Sequence, residues 1–379
     1  MQQFSISDQK YMDRALKLAA LAVGKTSPNP LVGAVIVKNG EIIGEGYHQK
    51  YGAQHAEVNA LAKAGFKAEG AELFVNLEPC SHFGKTPPCT QAIIASGLKR
   101  VVVALVDPNP QVAGRGIKQL RKAGIKVEIG LLAAKAKKLN EIFLKYITSE
   151  LPFVYLKKAQ TLDGYIATSS SDSKWITNEQ ARKEGHKLRQ KVDAILVGIG
   201  TILADDPALT TRLEKTETKD PLRIILDPLL EIPIDAQIIE QKSEAETLII
   251  TATEFPPAQA VAKFKKKEKI LKKGGVQIIS FAVDANNYFD LKKILKYLHQ
   301  QKIASILVEG GAKLSHSFLA QKLIDKFYYF IAPKIYGGND GCASFSGSGP
   351  KLMADTVNLE IIEQRNLADN ILLIAVSKN

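Results

Sequence analysis

Hydrophobic residues recur along the chain with two alternating periods, one typical of helices and one typical of strands. Between Met12 and Val23 apolar residues return every three or four positions, which predicts an amphipathic helix. We expect this helix to begin at an N-cap on Ser7 and to end at Gly24. The chain is thus expected to begin with a helix that has one apolar face.

Two short apolar runs follow, and Asn39-Gly40 separates them. They read LVGAVIVK and EIIGEGYH, and an Asn-Gly pair between two such runs predicts a β-hairpin. Helices are then predicted at 55–65, at 89–97 and at RGIKQLRKAG, with strands at AELFVNL, RVVVALVDP and IKVEIG. Strands that alternate with helices of this length predict a layered α/β sheet, here with an antiparallel hairpin at its start.

A domain boundary is predicted near 145–152, where the charged helical stretch AAKAKKLNEIFLKYITSE ends before Pro152. Beyond it, strands are predicted at FVYLKKA, VDAILVGI, LRIILD, TLIITA, VQIISFA, SILVE, KFYYFIA and NILLIAV, the last as an added edge strand. Helices are predicted at NEQARKEGHKLRQK and near 257–272, 288–301 and 312–323. No internal repeat links the two halves, so we expect residues 1–150 and 151–379 to be two α/β domains with different chemistry.

Length and composition are typical of a soluble globular protein with about two domains. The chain has 379 residues, of which 45% are apolar and 24% charged, and no apolar run of about 18 residues that would span a membrane. The N-terminal stretch lacks the basic start and the cleavage site of a signal peptide, so we expect it to belong to the fold. Three cysteines form no disulfide framework, which favours a reducing, cytoplasmic location.

The net charge of +12 allows two classes of partner. A nucleic-acid-binding protein needs a positive field, and so does an enzyme that acts on phosphorylated small molecules. The densest cluster of lysines lies at Lys263–Lys273, where they alternate with apolar residues. That pattern favours a solvated helix face.

Candidate chemistry is concentrated between His55 and Cys89. His55, Cys80 and Cys89 supply three ligands that suit a tetrahedral zinc with one position open for water. Glu57 stands too close to His55 to be a comfortable fourth ligand, but its carboxylate could move protons at that water. This stretch therefore predicts a catalytic zinc site.

The alternative is that these residues only pack in the core, since lone cysteines are usually buried small hydrophobes. Three positions favour the metal: His55 opens a predicted helix, Cys80 ends a strand, and Cys89 begins another helix whose dipole stabilises a thiolate. Strand ends and helix starts converge at one edge of such a sheet. A His-x-Glu with Pro-Cys and a second cysteine is the signature of zinc-dependent nucleobase deaminases.

The spacing between the two cysteines is unusual for such deaminases. Most have two residues there, whereas eight residues, SHFGKTPP, stand between Cys80 and Cys89. The insertion brings His82 and Lys85 beside the predicted metal, where both suit an anionic substrate, although such a loop can also be purely structural.

Short motifs throughout the chain resemble one enzyme family, the bifunctional deaminase-reductases of riboflavin biosynthesis. The motifs TSPNPLVGAVIV, HAEVNAL and EPCSHFGKTPPC are similar to its deaminase half, and LKKAQTLDGYIA, SDSKWIT, LADDPALTTR and VEGGAKLSHSF to its reductase half. The resemblance covers nearly the whole chain in order. It implies a cytidine-deaminase-like three-layer α/β/α domain followed by a dihydrofolate-reductase-like α/β domain.

The resemblance implies that the first half deaminates 2,5-diamino-6-(5-phosphoribosylamino)-pyrimidin-4-one and releases ammonia. In this family pattern His55, Cys80 and Cys89 bind Zn²⁺ and Glu57 is the proton shuttle. The implied substrate contacts are Asn29, His48, His82 and Lys85. An asparagine in a Pro-flanked turn also caps backbone groups without any ligand, so a structural role for Asn29 stays open.

The second half, by the same resemblance, reduces the ribosyl group to ribityl with NADPH. The residues alone show that Glu309-Gly310-Gly311 closes an apolar strand and that a predicted helix starts directly after it. Such glycines let an anion approach a helix N-terminus, although strand–Gly-Gly–helix alone is a weak signal. With the resemblance, the segment becomes the candidate site for the cofactor phosphates, and its residues are Gly311, Ala312, Lys313, Leu314, Ser315, His316 and Ser317.

Other positions of the second half carry over from the family motifs. The implied cofactor contacts are Ala159, Trp175, Thr201 and Asp205, and the implied substrate contacts are Ser173, Arg189, Leu209, Arg212 and Glu309. Two arginines suit a phosphate because a guanidinium makes paired hydrogen bonds. Lys157 and Asp205 are the ionisable groups that we expect near the transferred hydride.

One residue departs from the family pattern. Pro228 stands where the family often has a serine that touches the cofactor. Proline has neither a hydroxyl nor a backbone N–H, so we expect that hydrogen bond to be lost at a cost of about 1 kcal/mol.

Two other functions remain open at this point. The chain could be a nucleic-acid-editing deaminase with a basic second domain, although that half lacks a basic stripe interleaved with aromatic residues. The second half could also be a scaffold that has lost its reductase activity. The main expectation is a cytoplasmic enzyme for a phosphorylated pyrimidine, with no nucleic-acid or membrane partner and with a homo-oligomeric assembly, as the family implies.

Overall fold

The structure is a computed structural model that describes residues 4–83, 87–109, 112–214, 218–254 and 258–378. The chain divides into two compact units, Met1–Glu150 and Leu151–Asn379. This division lies at the boundary that the end of the charged helix and Pro152 indicated. In the described part of the chain, no helix is both long enough and apolar enough to cross a bilayer.

The first unit is built on a single five-stranded sheet. Its strands are β1 (Gly33–Lys38), β2 (Glu41–Tyr47), β3 (Glu72–Val75), β4 (Arg100–Val103) and β5 (Lys126–Ile129). Its helices are α1 (Ile6–Ala20), α2 (Ala56–Ala64), α3 (Cys89–Ala95), α4 (Arg115–Lys122), α5 (Ala133–Leu139) and α6 (Glu141–Thr148), with a 3₁₀ turn at Gly65–Ala68.

The strand order is β2-β1-β3-β4-β5. The predicted hairpin is confirmed, since β1 pairs antiparallel with β2, and β1 also pairs antiparallel with β3. From β3 to β5 the strands are parallel. Two apolar clusters cover the two faces of this sheet, because successive residues such as Leu73 and Phe74 point to opposite sides. The result is a three-layer α/β/α arrangement whose parallel strands all end at one edge.

The ends of two predicted helices differ from the pattern. The first helix begins at Ile6 with Ser5, not Ser7, as its N-cap, because Ser5 and Asp8 form a reciprocal capping box. The stretch expected as one helix before Pro152 is two helices, α5 and α6, with Asn140 between them. The Asn140 side chain accepts from the Leu31 N–H and donates to the Leu31 carbonyl, so this break ties the helices to the segment before β1.

The second unit holds a nine-stranded sheet and a small two-stranded one. The strands are β6 (Phe153–Thr161), β7 (Tyr165–Ala167), β8 (Ala194–Gly198), β9 (Leu222–Leu226), β10 (Thr247–Ala252), β11 (Gln277–Phe281), β12 (Ser305–Glu309), β13 (Lys326–Ala332), β14 (Cys342–Ala343), β15 (Leu359–Leu367) and β16 (Asn370–Ser377). The helices are α7 (Glu179–Lys191), α8 (Ile199–Asp205), α9 (Gln237–Glu240), α10 (Ala258–Lys273), α11 (Leu291–Gln300) and α12 (Ala312–Ala320), with a 3₁₀ turn at Met353–Asp355.

The large sheet has the order β11-β10-β9-β8-β12-β6-β13-β16-β15. The first seven strands in this spatial order, from β11 through β10, β9, β8, β12 and β6 to β13, are parallel. Strands β16 and β15 then add an antiparallel pair. The expectation that the last strand is an edge is wrong. Strand β15 is the edge and β16 lies inside the sheet, because Leu359–Leu367 forms a strand that its charged residues hid from the pattern. The core clusters again lie on the two faces of the sheet.

Arg100 joins four elements of the first unit at the amino ends of the strands. Its guanidinium lies 2.8 Å from Asp8 of α1, 2.8 Å from Glu72 of β3 and 2.6 Å from Glu128 of β5. The Arg100 side chain is only 16% exposed, so these ion pairs are poorly screened by water. The hydrogen bond from Arg100 lowers the pKa of Asp8, although burial of the carboxylate opposes this effect.

Replacing Arg100 by Met is expected to destabilise the first unit by about 3 kcal/mol, because three partly buried carboxylates lose their common cation. The matched control is Arg14→Met, which removes the paired hydrogen bonds to Glu45 from a side chain that is 47% exposed. We expect the control to cost about 0.5 kcal/mol, since solvent screens exposed ion pairs. Urea unfolding followed by circular dichroism measures both variants, and equal losses would contradict this account of Arg100.

Candidate active sites

Close packing at the start of α2 places His55 beside the strand ends. His55 is the N-cap residue of α2, directly before Ala56. The helix can begin there because β2 has a glycine at position 46: a Cβ on Gly46 would lie 2.4 Å from the Ala56 carbonyl oxygen. The opening of the helix is therefore fixed against the hairpin.

Cys80 and Cys89 reach the same place from two other elements. Cys80 lies five residues after the end of β3, and Cys89 is the first residue of α3. The Cys89 backbone N–H donates to the Cys80 Sγ at 3.3 Å. The helix N-terminus thus faces the sulfur, which favours a thiolate there.

The three predicted ligands converge on one point. His55 Nδ1 lies 3.2 Å from the Cys89 Sγ and 3.5 Å from the Cys80 Sγ, and the three candidate ligand atoms all lie within 4.8 Å of one another. His55 and Cys80 are half-buried and Cys89 is buried. One nitrogen and two sulfurs at this separation can hold one metal ion, and the predicted grouping of His55, Cys80 and Cys89 is therefore present in the structure.

Electrostatics distinguish the two thiols. A hydrogen bond from Cys89 lowers the pKa of Cys80 to about 4, helped by His55 and opposed by burial. The pKa of Cys89 is raised, first because its thiol donates to Cys80 and then because it is buried. This shift favours the thiolate form of Cys80, which is the form that binds metals.

Glu57 lies two residues beyond His55 and is buried, with only 3% of its surface exposed. Burial, followed by the charge of Cys80, raises the pKa of Glu57 to about 7. A carboxyl group with such a pKa can take up and release a proton at neutral pH, which is what a general acid–base group needs.

His55, Glu57 and Cys80 line a cavity of about 260 Å³. Asn29 and His48 form its polar wall, with the Asn29 Nδ2 3.3 Å from the His48 Nε2. The His48 Nδ1 lies 3.1 Å from the Gln54 carbonyl oxygen, and burial lowers the pKa of His48. His48 is thus a neutral ring held on both nitrogens. The expected substrate contacts Asn29 and His48 line the same cavity as His55 and Cys80, two of the predicted metal ligands.

The two residues expected from the inserted loop differ in what the structure describes. His82 lines the cavity and is otherwise exposed, which places it at the rim. Lys85 lies outside the described residues, so its expected substrate contact stays a prediction.

Sequence reasoning missed Glu78, which lines the cavity and binds the chain segment that follows β4. Its buried carboxylate accepts hydrogen bonds from the N–H groups of Asp107, Gly114 and Ile117 at 3.0 to 3.2 Å. Asp107 lines the cavity as a result, and burial raises its pKa. No sequence pattern showed this, because the three N–H groups lie about thirty residues or more away along the chain.

In the second unit, Glu309, Arg189 and Lys157 form a buried ionic group at the end of β12. The Arg189 Nε and Nη2 donate to the two Glu309 oxygens at 3.0 and 2.8 Å, and the Lys157 Nζ lies 3.8 Å from Glu309. The Arg189 Nη1 donates to the Thr210 carbonyl at 2.9 Å. Three N–H groups of Arg189 are thus used within the protein, and fewer remain for a phosphate than the sequence suggested.

Charge determines the protonation of this group. Burial opposes ionisation of Glu309, but the positive charges of Arg189 and Lys157 outweigh it and lower its pKa to about 2. Sequence reasoning also missed His186, whose Nδ1 accepts from the Arg212 backbone N–H at 3.2 Å. Burial, and then Arg189 and Arg212, lower the pKa of His186 to about 4, so it is a neutral ring.

Asp205 and Thr201 both come from the short helix α8. The Ser173 hydroxyl donates to Asp205 at 3.1 Å, which joins an expected substrate contact to an expected cofactor contact. The Gly311 N–H donates to the Thr201 Oγ1 at 3.3 Å. The structure thus brings Thr201 to the Gly310-Gly311 turn, and its expected contact with a cofactor stays a prediction.

The residues expected to bind the cofactor phosphates form the first turns of α12. Gly311 is the N-cap residue, and Ala312, Lys313 and Leu314 begin the helix with Lys313 exposed. Ser315 is buried and its hydroxyl donates to the Gly311 carbonyl, while the Ser317 hydroxyl donates to the Lys313 carbonyl. These two hydroxyls bond within the helix, and His316 packs against Gly347. The backbone N–H groups of the first turn are therefore the groups that suit an anion.

The remaining expected contacts of the second unit range from exposed to buried. Trp175 is 62% exposed, and the Arg182 guanidinium lies 4.5 Å from its ring centroid. Ala159 is half-buried on β6, Leu209 is buried, and Arg212 is exposed. Pro228 follows β9, and its carbonyl accepts from the Ala252 N–H.

Comparison with known protein families identifies the family of this chain. Residues 152–373 match the model of the RibD C-terminal domain, and residues 5–105 match that of the cytidine and deoxycytidylate deaminase zinc-binding region. The riboflavin biosynthesis protein RibD of Aquifex aeolicus is 47% identical over 366 residues, which are 97% of this chain and 97% of that protein. This chain belongs to the RibD family. The RibD protein of Escherichia coli is 39% identical over 380 residues, covering 97% of this chain and 99% of its own.

Solved structures of the RibD family agree with this fold. Acinetobacter baumannii RibD superposes with a TM-score of 0.87 at 37% identity and covers 98% of this chain and 99% of its own. A diaminohydroxyphosphoribosylaminopyrimidine deaminase/5-amino-6-(5-phosphoribosylamino)uracil reductase from Thermotoga maritima gives 0.84 at 37% identity with the same coverage. The expected fold class and the resemblance to a bifunctional deaminase-reductase of riboflavin biosynthesis are confirmed.

The ionic group of the second unit generates a stability prediction. Glu309→Gln should cost about 3 kcal/mol at pH 7, because it leaves the Arg189 guanidinium buried without a counter-ion. In the wild type the pKa of Glu309 lies below its unfolded value, so this stabilisation is present above about pH 5 and is lost as pH falls toward 2. The matched control is Glu268→Gln, which removes a surface pair with Lys272.

Urea unfolding of the second unit at pH 7 and at pH 3.5 measures this effect. We expect the difference between wild type and Glu309→Gln to shrink at the lower pH, and the control to change stability by about 0.5 kcal/mol or less at either pH. A variant as stable as the wild type at pH 7 would show that the Arg189–Glu309 pair contributes nothing to folding.

Proposed function

We propose that residues 1–150 deaminate the phosphoribosylaminopyrimidine named for the Thermotoga maritima relative, and that residues 151–379 reduce the ribosyl group of the product with NADPH. The observation that carries the proposal is the grouping of the His55 nitrogen with the Cys80 and Cys89 sulfurs, beside a cavity that His55, Cys80 and the buried Glu57 line. The second unit supplies a separate set of ionisable groups at Glu309.

The residues of the first site fit a zinc ion. One nitrogen and two sulfur ligands, with the thiolate form of Cys80 favoured, are a donor set typical of catalytic zinc with an open position. A zinc ion held there supplies Lewis acidity, which lowers the pKa of a coordinated water to about 7. His55, Cys80 and Cys89 are proposed as its ligands.

Glu57 is proposed as the group that moves the proton. Hydrolytic deamination requires a proton to leave the attacking water and another to reach the departing amine, and one carboxyl group can serve both steps in turn. The pKa of about 7 for Glu57 suits both directions at neutral pH. Because Glu57 is held on a helix whose start is fixed against β2, its position does not depend on a mobile loop.

Substrate orientation in the first site is assigned to the cavity wall. Asn29 and the neutral His48 present an amide and a ring that can form hydrogen bonds with a pyrimidine. His82 at the rim and Lys85 in the inserted loop are proposed to face the anionic end of the substrate. The carboxylate of Asp107 completes the lining.

The residues of the second site fit a dinucleotide cofactor. Apart from its chain neighbours, no described residue lies within 4 Å of a Cβ built on Gly311, so the backbone there is open to a ligand. The α12 segment Gly311 to Ser317 is proposed for the cofactor phosphates, with Ala159, Trp175, Thr201 and Asp205 as further cofactor contacts. NADPH bound there would supply the hydride for the ribosyl carbon.

The substrate of the second reaction is proposed to lie between β6, α7 and α8. Ser173, Arg189, Leu209, Arg212 and Glu309 are its proposed contacts. Lys157 lies beside Glu309, and Asp205 accepts from Ser173. These two ionisable groups are proposed to hold or deliver the proton that accompanies hydride transfer. Arg212, which is exposed, has more N–H groups available for a phosphate than Arg189 has.

The partners that we propose follow from the same chemistry. The substrate is a phosphorylated pyrimidine, which the positive net charge would attract, and neither a nucleic acid nor a membrane is a partner. We propose a cytoplasmic homo-oligomer. Each of these statements extends the established conclusion that the chain is an enzyme of its family.

A two-part assay with the diaminopyrimidine ribotide tests the assignment of residues. Glu57→Gln should lower ammonia release by about a thousandfold, because the proton shuttle is lost, and should leave NADPH oxidation with supplied deaminated intermediate unchanged. Asp205→Asn should lower NADPH oxidation and leave ammonia release unchanged. Asp206→Asn is the matched control for the neighbouring carboxylate, and it should leave both rates unchanged.

Ammonia release that persists in Glu57→Gln would remove Glu57 from the mechanism. Deamination of adenosine in tRNA or of single-stranded cytosine, with none of the ribotide, would replace the proposed substrate by a nucleic acid. Failure of the wild type to bind NADPH would mean that the second unit is a scaffold.

A further inference from the structure

The proposed reaction does not use one buried ionisable group of the second unit. Lys158 lies on β6 and is only 2% exposed. It follows Lys157, and because successive side chains of a strand point to opposite faces, the two ammonium groups lie on different sides of the sheet. Lys157 faces Glu309, whereas Lys158 is directed elsewhere.

The Lys158 ammonium contacts the turn that opens α12. Its Nζ donates to the Gly310 carbonyl at 2.8 Å and lies 5.5 Å from the centroid of the Phe345 ring. No carboxylate among the described residues pairs with it. Burial, and then the charge of Lys157, lower the pKa of Lys158 to about 7, so the cation is held in a place that is costly for an unpaired charge.

The Gly310-Gly311 turn is fixed from several directions. Gly310 has a φ of +135°, a conformation that favours glycine, and a Cβ there would lie 2.7 Å from the Thr201 Oγ1. The same Thr201 oxygen accepts from the Gly311 N–H, and the Ala312 carbonyl accepts from the Ser346 N–H at 3.2 Å. Lys158 supplies the charged contact to this turn. It binds the carbonyl of Gly310, the residue directly before the N-cap residue Gly311.

We propose that Lys158 is a positioning residue for the cofactor phosphates. By holding the Gly310 carbonyl it orients the peptide groups of the turn, so that the N–H groups at the start of α12 point toward an anion. Its positive charge adds to the helix dipole at the same end. This inference rests on the proposed binding of NADPH to the second unit.

Binding of the cofactor should therefore be linked to a proton. An anion at the turn favours the charged form of Lys158, so the protein takes up a proton on binding when the pH is near or above 7. The groups that act on Lys158 are Lys157, which opposes its charge, and Cys342 of β14, which favours it. Tyr329, its partner in register on β13, stays neutral because burial raises its pKa to about 12, and Glu309 of β12 lies on the other face, with Lys157.

Isothermal titration calorimetry with two ligands tests the proposal. The ligands are NADPH and dihydronicotinamide riboside, which carries the same ring without phosphates. Lys158→Met should raise the Kd for NADPH by about tenfold, the loss expected for one charge-assisted interaction, and leave the Kd for the riboside unchanged. The matched control is Lys326→Met, which removes another buried lysine of the same sheet, at the start of β13, and should change neither constant.

The pH profile separates a charge effect from a general structural one. The ratio of the NADPH Kd values of Lys158→Met and wild type should fall as pH rises from 6 to 8.5, roughly the range in which a group of this pKa loses its proton. Titrations in two buffers of different ionisation enthalpy should show proton uptake in the wild type that the variant lacks. If Lys158→Met does not fold, Lys158→Gln, which keeps a donor without a charge, should show the same loss of proton uptake.

Equal Kd values for NADPH in wild type and both variants, with equal proton uptake, would overturn the role of Lys158. So would a parallel loss of affinity for the riboside, which would mean general damage to the site. A wild type that does not bind NADPH at all would instead contradict the proposed function.

Discussion

The contact of the His55 imidazole with two cysteine sulfurs is the constraint on which the first unit depends. Three candidate ligand atoms, from the N-cap residue of α2, the segment after β3 and the first residue of α3, lie within 4.8 Å of one another. Gly46 of β2 leaves room for the start of α2, and the Cys89 N–H donates to the Cys80 sulfur. Glu78, two residues before Cys80, accepts from the Asp107 N–H of the segment that follows β4. The parallel strands β3 to β5 bring these elements to one edge, where the cavity lies.

In the second unit, two cationic side chains lie near one buried acid. Glu309 stays ionised because Arg189 and Lys157 outweigh the cost of its burial. The next two residues, both glycines, turn the chain into α12, and Lys158 contacts that turn from the other face of β6. Residues 309–312 thus connect the ionic group at Glu309 to the N-terminus of α12. The proposed proton site and the proposed phosphate site are therefore neighbours.

Sequence reasoning predicted much of this because local patterns determine local structure. The hairpin, the central strands such as SILVE and KFYYFIA, and the grouping of His55, Cys80 and Cys89 all follow from short-range signals. Strand β15 was missed because charged residues interrupt it and Ile361 is 57% exposed, so it lacks the apolar run of a buried strand. Glu78, His186 and Lys158 were missed for another reason. Their roles depend on backbone atoms that lie near them in space and far from them in the chain, and only the fold shows those.

The central claim is that His55, Cys80 and Cys89 form a zinc site with one open position. X-ray absorption at the zinc edge tests it most directly. We expect two sulfur ligands at about 2.3 Å and two nitrogen or oxygen ligands at about 2.0–2.1 Å, with one sulfur lost in Cys89→Ser. Three or four sulfur ligands, or an unchanged sulfur count in Cys89→Ser, would contradict the account.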